Sequence, residues 1–186
     1  MSAQVEIWRE PVTLHRGGFP VAFLLGLMDK VSGGDPLFEN QQGARGLYTM
    51  HPATAARVGV SNPDLLYDSE VAITSAVELL KQRATQLIGA APWLQNNPED
   101  FSRLLAASYW YGPANVLDAL VAGASSANAV FYAAPAGDTM GTFADDVLSR
   151  ALLYQDDAEH KTGRNWASLI GKGILVAGAL YYVFRR

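Results

Sequence analysis

The strongest pattern of hydrophobic and polar positions in this chain lies between residues 68 and 87. Its apolar positions recur at i, i+3, i+4 and i+7, namely at Ile73, Ala76, Val77 and Leu80. This spacing places them on one face of an α-helix. Either Asp68 or Ser69 can cap the first turn, since both side chains accept hydrogen bonds from free backbone amides. The pattern therefore predicts an amphipathic helix.

The same periodicity predicts further helices along the chain, at residues 19–31, 52–58, 99–110, 113–121 and 142–154. The first of these ends at residues 32–36, where two glycines and a proline interrupt the helical pattern. Thr142 followed by Asp145 resembles a capping box at the start of the last helix. The predicted fold class is all-α.

The N-terminal residues differ from this pattern. Val5 and Ile7 alternate with polar residues, which predicts a short strand or an extended arm over residues 1–18. The arm is polar and has no apolar core before residue 19, so we expect no secretory signal at this end.

Composition narrows the functional classes. Apolar residues make up 49% of the 186 positions and charged residues 17%, which is enough to bury a core. The net charge of −4 argues against a nucleic-acid partner. The absence of cysteine excludes disulfides, thiolate zinc sites and a cysteine nucleophile. The three histidines are scattered, so neither a metal nor another cofactor is predicted.

Three blocks in the middle of the chain form an ordered set. Residues 43–55 read G-A-R-G-L-Y-T-M-H-P-A-T-A, residues 68–80 begin D-S-E and end L-L, and residues 107–116 read A-S-Y-W-Y-G-P-A-N-V. In order and spacing they resemble the lytic-transglycosylase (SLT, goose-lysozyme-like) family, whose corresponding stretches include G-A-x-G-L-M-Q and A-A-Y-N-A-G-P. The resemblance extends over residues 23–120 and implies a lysozyme-like helical domain.

The resemblance also implies a chemistry. Family members cleave the β-1,4 bond between N-acetylmuramic acid and N-acetylglucosamine in peptidoglycan. One glutamate acts first as acid and then as base, and the muramic 6-hydroxyl attacks to give a 1,6-anhydro product. The family motif is E-S-x-x-N-P, in which Ser32 matches the serine and Asp35-Pro36 match the last pair. The glutamate position is then Val31, whose side chain has no proton to donate.

Three other carboxylates are candidates for the missing acid. Asp29 lies two residues before Val31, and a longer loop would bring it into register. Glu39 lies in the loop that precedes the first block, and Asp35 occupies the family's asparagine position. The alternative is structural, with Asp29 a solvated charge at a helix end and Glu39 an exposed loop residue.

Aromatic and polar residues in the blocks are candidates for substrate binding. Tyr48 and Thr49 replace the family's Met-Gln pair, whose glutamine helps to hold sugar. Tyr109 matches the family tyrosine that contacts the acid. Trp110 and Tyr111 replace smaller residues, and their rings suit stacking on sugar faces; the alternative is that they belong to the core at an apolar helix end.

The longest apolar run lies near the C-terminus, at residues 166–184. As a helix at about 1.5 Å per residue it spans about 28 Å, close to the thickness of a bilayer core. Lys172 costs roughly 2.5–3.5 kcal/mol at mid-membrane, but it lies near enough to one end to snorkel. Residues 164–186 are therefore predicted to form a transmembrane or hydrophobic helix, with a buried helix of a soluble protein as the alternative.

These features predict four regions: an arm (1–18), an SLT, lysozyme-like domain (19–125), an Ala-rich connection with an amphipathic helix (126–163), and the membrane-type helix (164–186). The first functional hypothesis is a phage virion protein that acts on or binds murein during genome entry. It would act at the membrane or the periplasmic side of the bacterial host.

The predicted partners are peptidoglycan strands, the membrane through residues 166–184, and other virion or envelope proteins, with no nucleic acid. The second hypothesis is a catalytically dead relative kept as a glycan-binding or structural module. A bacterial tail-anchored envelope protein is the third.

Overall fold

The computed structural model describes residues 2–121 and 140–155. Over these two ranges the chain is helical, without strands, which confirms the all-α prediction. The α-helices are α1 (Ala3–Glu6), α2 (Arg9–His15), α3 (Val21–Ser32), α4 (Pro52–Arg57), α5 (Ser69–Ala90), α6 (Pro98–Tyr111), α7 (Pro113–Val121) and α8 (Met140–Leu153). Two 3₁₀ helices lie at Pro63–Tyr67 and Pro92–Asn96.

The described residues form two compact units. The first contains residues 2–79 and 149–155, and the second contains residues 80–121 and 140–148. Each unit has fully buried apolar side chains, among them Phe23, Leu24, Leu47 and Leu66 in the first and Leu87, Phe101, Leu105 and Val147 in the second.

Helix α3 is the most deeply buried element of the first unit. Every residue from Val21 to Met28 is buried, and polar side chains appear only in its last turns. The helix ends at Gly33, which adopts a left-handed conformation (φ 64°) and whose amide donates to the Asp29 carbonyl. Glycine adopts this conformation without the steric cost that other residues meet.

The N-terminal residues form helices, so the predicted short strand was wrong. Helices α1 and α2 both pack on α3. Val5 of α1 and Val12 of α2 are fully buried, and the Trp8 indole donates to the Gly34 carbonyl at 2.9 Å. The alternation of apolar and polar residues around Val5 spans only a few positions. The conformation of this segment is therefore decided by the burial of its apolar side chains.

The predicted capping box was also wrong. Helix α8 already begins at Met140, before Thr142. Within the second unit, the Asp145 carboxylate accepts hydrogen bonds from two Arg103 nitrogens, Nε at 3.0 Å and Nη2 at 2.5 Å. Asp145 therefore links α8 to α6 and does not cap its own helix.

Several predictions fall on other parts of the chain. The membrane-type helix at residues 164–186 lies outside the described residues, as do residues 126–139 and 156–163 of the Ala-rich connection. Among the helices that the structure does describe, none combines the length and apolar character needed to cross a membrane.

Candidate functional site

The first block folds into a tight turn at Arg45–Met50. The backbones of Arg45 and Met50 exchange two hydrogen bonds, and the Thr49 amide donates to the Gly46 carbonyl. Gly46 has φ of 74°, and a β-carbon there would lie 1.9 Å from the Leu66 carbonyl oxygen. Glycine is therefore required because this turn packs directly on the backbone of the first 3₁₀ helix.

Val31, which the motif resemblance aligns with the family's glutamate, lies in the last turn of α3. Its side chain is apolar, and the residue is only 8% exposed. Its carbonyl accepts a hydrogen bond from the Thr49 hydroxyl at 2.9 Å. The next hydroxyl, that of Ser32, donates to the Leu47 carbonyl at 2.6 Å. The end of α3 and the first block are thus joined by side chain–backbone hydrogen bonds, and Val31 supplies no titratable group.

Tyr48 and Thr49, predicted to bind substrate, both lie in the interior. Tyr48 is almost fully buried and its hydroxyl donates to the Leu24 carbonyl at 3.3 Å. Thr49 is buried and has φ of 47°, a conformation that is strained for a β-branched residue. Because both hydroxyls are used inside the first unit, neither side chain presents a free polar group to a sugar.

Asp29 takes part in a network that joins α3 to the end of α8. Arg150 Nη1 lies 3.2 Å from one carboxylate oxygen, and the Tyr154 hydroxyl donates to the other at 3.0 Å. The Asp29 side chain is 10% exposed. Burial raises the pKa of Tyr154 to about 12, and its hydrogen bond to Asp29 acts in the same direction. Asp29 thus has structural partners for both oxygens.

Glu39 also has partners, on the surface of the first unit. The Tyr67 hydroxyl donates to one carboxylate oxygen at 2.7 Å, and Arg45 Nε lies 3.4 Å from the other. The hydrogen bond from Tyr67 is the main cause that lowers the pKa of Glu39, and the Arg45 charge lowers it further. Arg45 also pairs with Asp64 at 2.6 Å. The Asp35 carboxylate, in contrast, accepts only a local hydrogen bond, from the Leu37 amide, among its described contacts.

The third block forms the end of α6 in the second unit. Tyr109 is buried, and burial raises the pKa of its hydroxyl far above the ordinary value, while the nearby Arg83 charge opposes that shift. The Tyr109 hydroxyl is therefore neutral across the physiological pH range. Gly112, with φ of 80°, ends the helix directly after the aromatic residues.

Trp110 and Tyr111 both contact a third aromatic residue, Phe143 of α8. The Trp110 and Phe143 rings stack with centroids 5.5 Å apart and 21° between their planes. Tyr111 meets Phe143 edge-on at 6.1 Å. Phe143 is buried, whereas Trp110 is 42% exposed. Of the five predicted substrate-binding residues, Trp110 is thus the most exposed.

Sequence reasoning missed the partners of the predicted residues. Arg150 and Tyr154 are spaced i, i+4, which indicates a shared helix face, but nothing in that spacing identifies Asp29 as their common partner. Likewise Phe143 is visible as an apolar position four residues before Val147, yet its contact with Trp110 depends on tertiary packing. The first block lies in the first unit and the third block in the second.

Comparisons with known proteins agree with the motif resemblance. The family described as Transglycosylase SLT domain matches residues 13–130. Among the solved structures that match is an inactive mutant of the lytic transglycosylase Slt from Pseudomonas aeruginosa, with a TM-score of 0.62 and 19% sequence identity. The match covers 81% of this chain and 25% of that one, so this chain spans about a quarter of that protein. No curated protein matches the sequence.

Proposed function

Because this chain belongs to the transglycosylase SLT-domain family, we propose that it binds the glycan strands of peptidoglycan without cleaving them. The observation that carries the proposal is the apolar, buried Val31 at the position of the family's catalytic glutamate. The reaction implied by the family needs a proton donor at the bridging oxygen of the sugar linkage. Valine has no such proton.

The contacts of Asp29 support a structural role for its carboxylate. To act as an acid, Asp29 would have to leave both Arg150 and Tyr154, which hold its two oxygens. A general acid has to lie within hydrogen-bond reach of the bridging oxygen, and a carboxyl group held at both oxygens is not free to move there.

The pKa of Glu39 argues in the same direction. A general acid at neutral pH needs a raised pKa, which burial beside apolar groups normally provides. Glu39 is exposed, and its hydrogen bond from Tyr67 lowers its pKa. It is therefore ionised at neutral pH and has no proton to transfer.

Purified peptidoglycan sacculi test the proposal directly. We expect the full chain to cosediment with sacculi and to release no 1,6-anhydro muropeptides detectable by mass spectrometry. Release of these products by the wild-type protein, and their loss in Asp29→Asn or Glu39→Gln, would show that one of the two carboxylates is a working acid and that the proposal is wrong.

Restoring the family residue provides the complementary test. We expect Val31→Glu to release 1,6-anhydro products, since burial at this position would raise the pKa of the new carboxyl group. Val31→Gln is the matched control because glutamine has nearly the same shape as glutamate but no acidic proton. Equal product from both variants would contradict the assignment of position 31 as the proton-donor position.

We also propose that the protein is a component of a phage virion and that it binds glycan strands when the particle meets the bacterial envelope during genome entry. The support is sequence-based: an SLT-family domain on the same chain as the apolar segment at residues 166–184. Mass spectrometry of purified particles tests this location. Detection of the protein in host envelopes and its absence from particles would favour the tail-anchored envelope protein instead.

A further inference from the structure

We infer that Trp110, supported by Phe143, is a stacking platform for a pyranose ring of the bound glycan strand. The inference rests on the proposed function, since it takes the glycan strand as the ligand. It assigns the contact to a residue that differs from the family pattern, in which an asparagine occupies this position.

The geometry of the pair leaves the indole partly free. Phe143 is buried and stacks on Trp110 with only 21° between the two ring planes. Trp110 nevertheless keeps 42% of its surface exposed. A large apolar ring at the surface, already supported by another ring, is suited to cover a ligand with a flat apolar face.

Contacts within the second unit hold this pair in place. The Arg103–Asp145 interaction ties α6 to α8 close to Phe143 in the sequence. Tyr111 packs edge-on against Phe143 from the same helix end as Trp110. A ring that is fixed before the ligand arrives loses little conformational entropy on binding.

The residues next to Trp110 and Phe143 in the sequence favour a sugar over a protein partner. The exposed neighbours of the aromatic residues in the sequence are small or polar, namely Ala114, Asn115, Thr142 and Asp146. Protein interfaces usually surround an aromatic anchor with further buried contacts. A β-linked pyranose instead presents a face of C–H groups to the ring and directs its hydroxyls outward, where polar neighbours and water can hydrogen-bond to them.

Trp93 provides a matched control for the test. It lies in the same unit, in the second 3₁₀ helix, and has the same exposed fraction of 42%. Binding of the full chain to sacculi and to a β-1,4-linked N-acetylglucosamine tetrasaccharide would be measured for wild type, Trp110→Ala and Trp93→Ala. We expect Trp110→Ala to weaken binding at least about tenfold, a typical loss for one stacked ring. We expect Trp93→Ala to stay within about twofold of wild type, as for a residue outside the site.

A second measurement keeps the inference testable if Trp110→Ala unfolds. In the wild-type chain labelled with 5-fluorotryptophan, the fluorine resonance that is lost in Trp110→Phe belongs to Trp110. This resonance should shift on addition of the tetrasaccharide, while that of Trp93 stays in place. No shift at Trp110 under conditions where the wild type binds would overturn the inference.

The outcomes separate this inference from the proposal on which it rests. If wild type binds neither probe, the proposed function fails and this inference fails with it. If wild type binds and folded Trp110→Ala binds equally well, the assignment of Trp110 as a stacking platform is wrong and the proposed function stands.

Discussion

Asp29 and Glu39 show how the partners of a carboxyl group decide between chemistry and structure. Both lie within eight residues of Val31 in the sequence. Asp29 is nearly buried and joined to Arg150, whereas Glu39 is exposed and bonded to Tyr67. Both carboxylates are engaged by side chains of other elements, so each group serves to hold elements together.

For Asp29, the expected consequence of substitution is a loss of stability. Asp29→Asn keeps the shape but removes the charge that pairs with Arg150, and should lower the free energy of unfolding by about 1–3 kcal/mol. Urea denaturation measures the change. Asp118→Asn, the same substitution at an exposed residue of α7, should change the free energy by less than about 0.5 kcal/mol. Equal effects would contradict the role of the Asp29 network.

For Glu39, the expected consequence is a pH dependence. Its pKa is lowered in the folded protein, so its contribution to stability is present above the ordinary glutamate pKa and is lost as the pH falls through the lowered value. Carbon NMR of the carboxyl group should show titration below the ordinary range. Tyr67→Phe should move the pKa upward, because the Tyr67 hydrogen bond is the main cause of the shift. A pKa above the ordinary value would instead favour Glu39 as an acid.

At the scale of elements, periodic patterns and proline start signals predicted α3 to α8, whereas nothing in the sequence predicted α1, α2 or the two 3₁₀ helices. The stripe through α5 and the proline-started α4 and α7 carry their own start signals. Helix α1 has four residues and each 3₁₀ helix has five, too few for a period to be recognised. Their conformation depends on packing partners that are distant in the sequence.

The candidate site divides in the same way. Val31, Asp29, Glu39 and Trp110 could be selected from motif positions, because residue type and spacing alone identify them. Their roles could not be predicted, because each role depends on a contact with Arg150, Tyr67 or Phe143, and only the fold brings these residues near. The sequence predicts which groups are candidates, and the contacts decide whether each is free to act.

The turn of the first block gives a prediction at the same scale. Gly46→Ala adds a β-carbon against the Leu66 carbonyl and should lower the free energy of unfolding by at least about 3 kcal/mol. Gly59→Ala has a similar positive φ but no heavy atom within 4 Å of the added carbon, so it should cost only about 1–2 kcal/mol. Thermal unfolding compares the two, and equal losses would show that the close approach to Leu66 is unimportant.

At the scale of the whole molecule, the N-terminal residues extend the family domain. The family match begins at residue 13, yet residues before it complete the first unit. The Arg9 guanidinium donates to the Tyr154 carbonyl at 2.8 Å, and the Ser2 amide donates to the Tyr154 hydroxyl at 3.2 Å. The first unit is thus assembled from both ends of the described chain.

Deleting residues 1–12 should therefore destabilise the protein strongly. Two buried valines are lost with these residues, each contributing about 1.5–3 kcal/mol, so the free energy of unfolding should fall by at least about 3 kcal/mol. Chemical denaturation of the truncated and intact chains measures the difference. Ile7→Ala, at an exposed position of the same segment, should have little effect. An unchanged midpoint for the truncated chain would show that α1 and α2 are dispensable.

The hydrogen bond between Asp29 and Tyr154 has a consequence for biosynthesis, since its partners are 125 positions apart in the sequence. At a translation rate of ~5–20 residues per second, a ribosome needs roughly 6–25 s to travel from one codon to the other. During that interval the nascent chain contains α3 without Tyr154 or Arg150, the two side chains that contact the Asp29 carboxylate. The end of α3 therefore completes its contacts only after the last described segment has left the ribosome, whereas α1 and α2 are available to pack on α3 from the start.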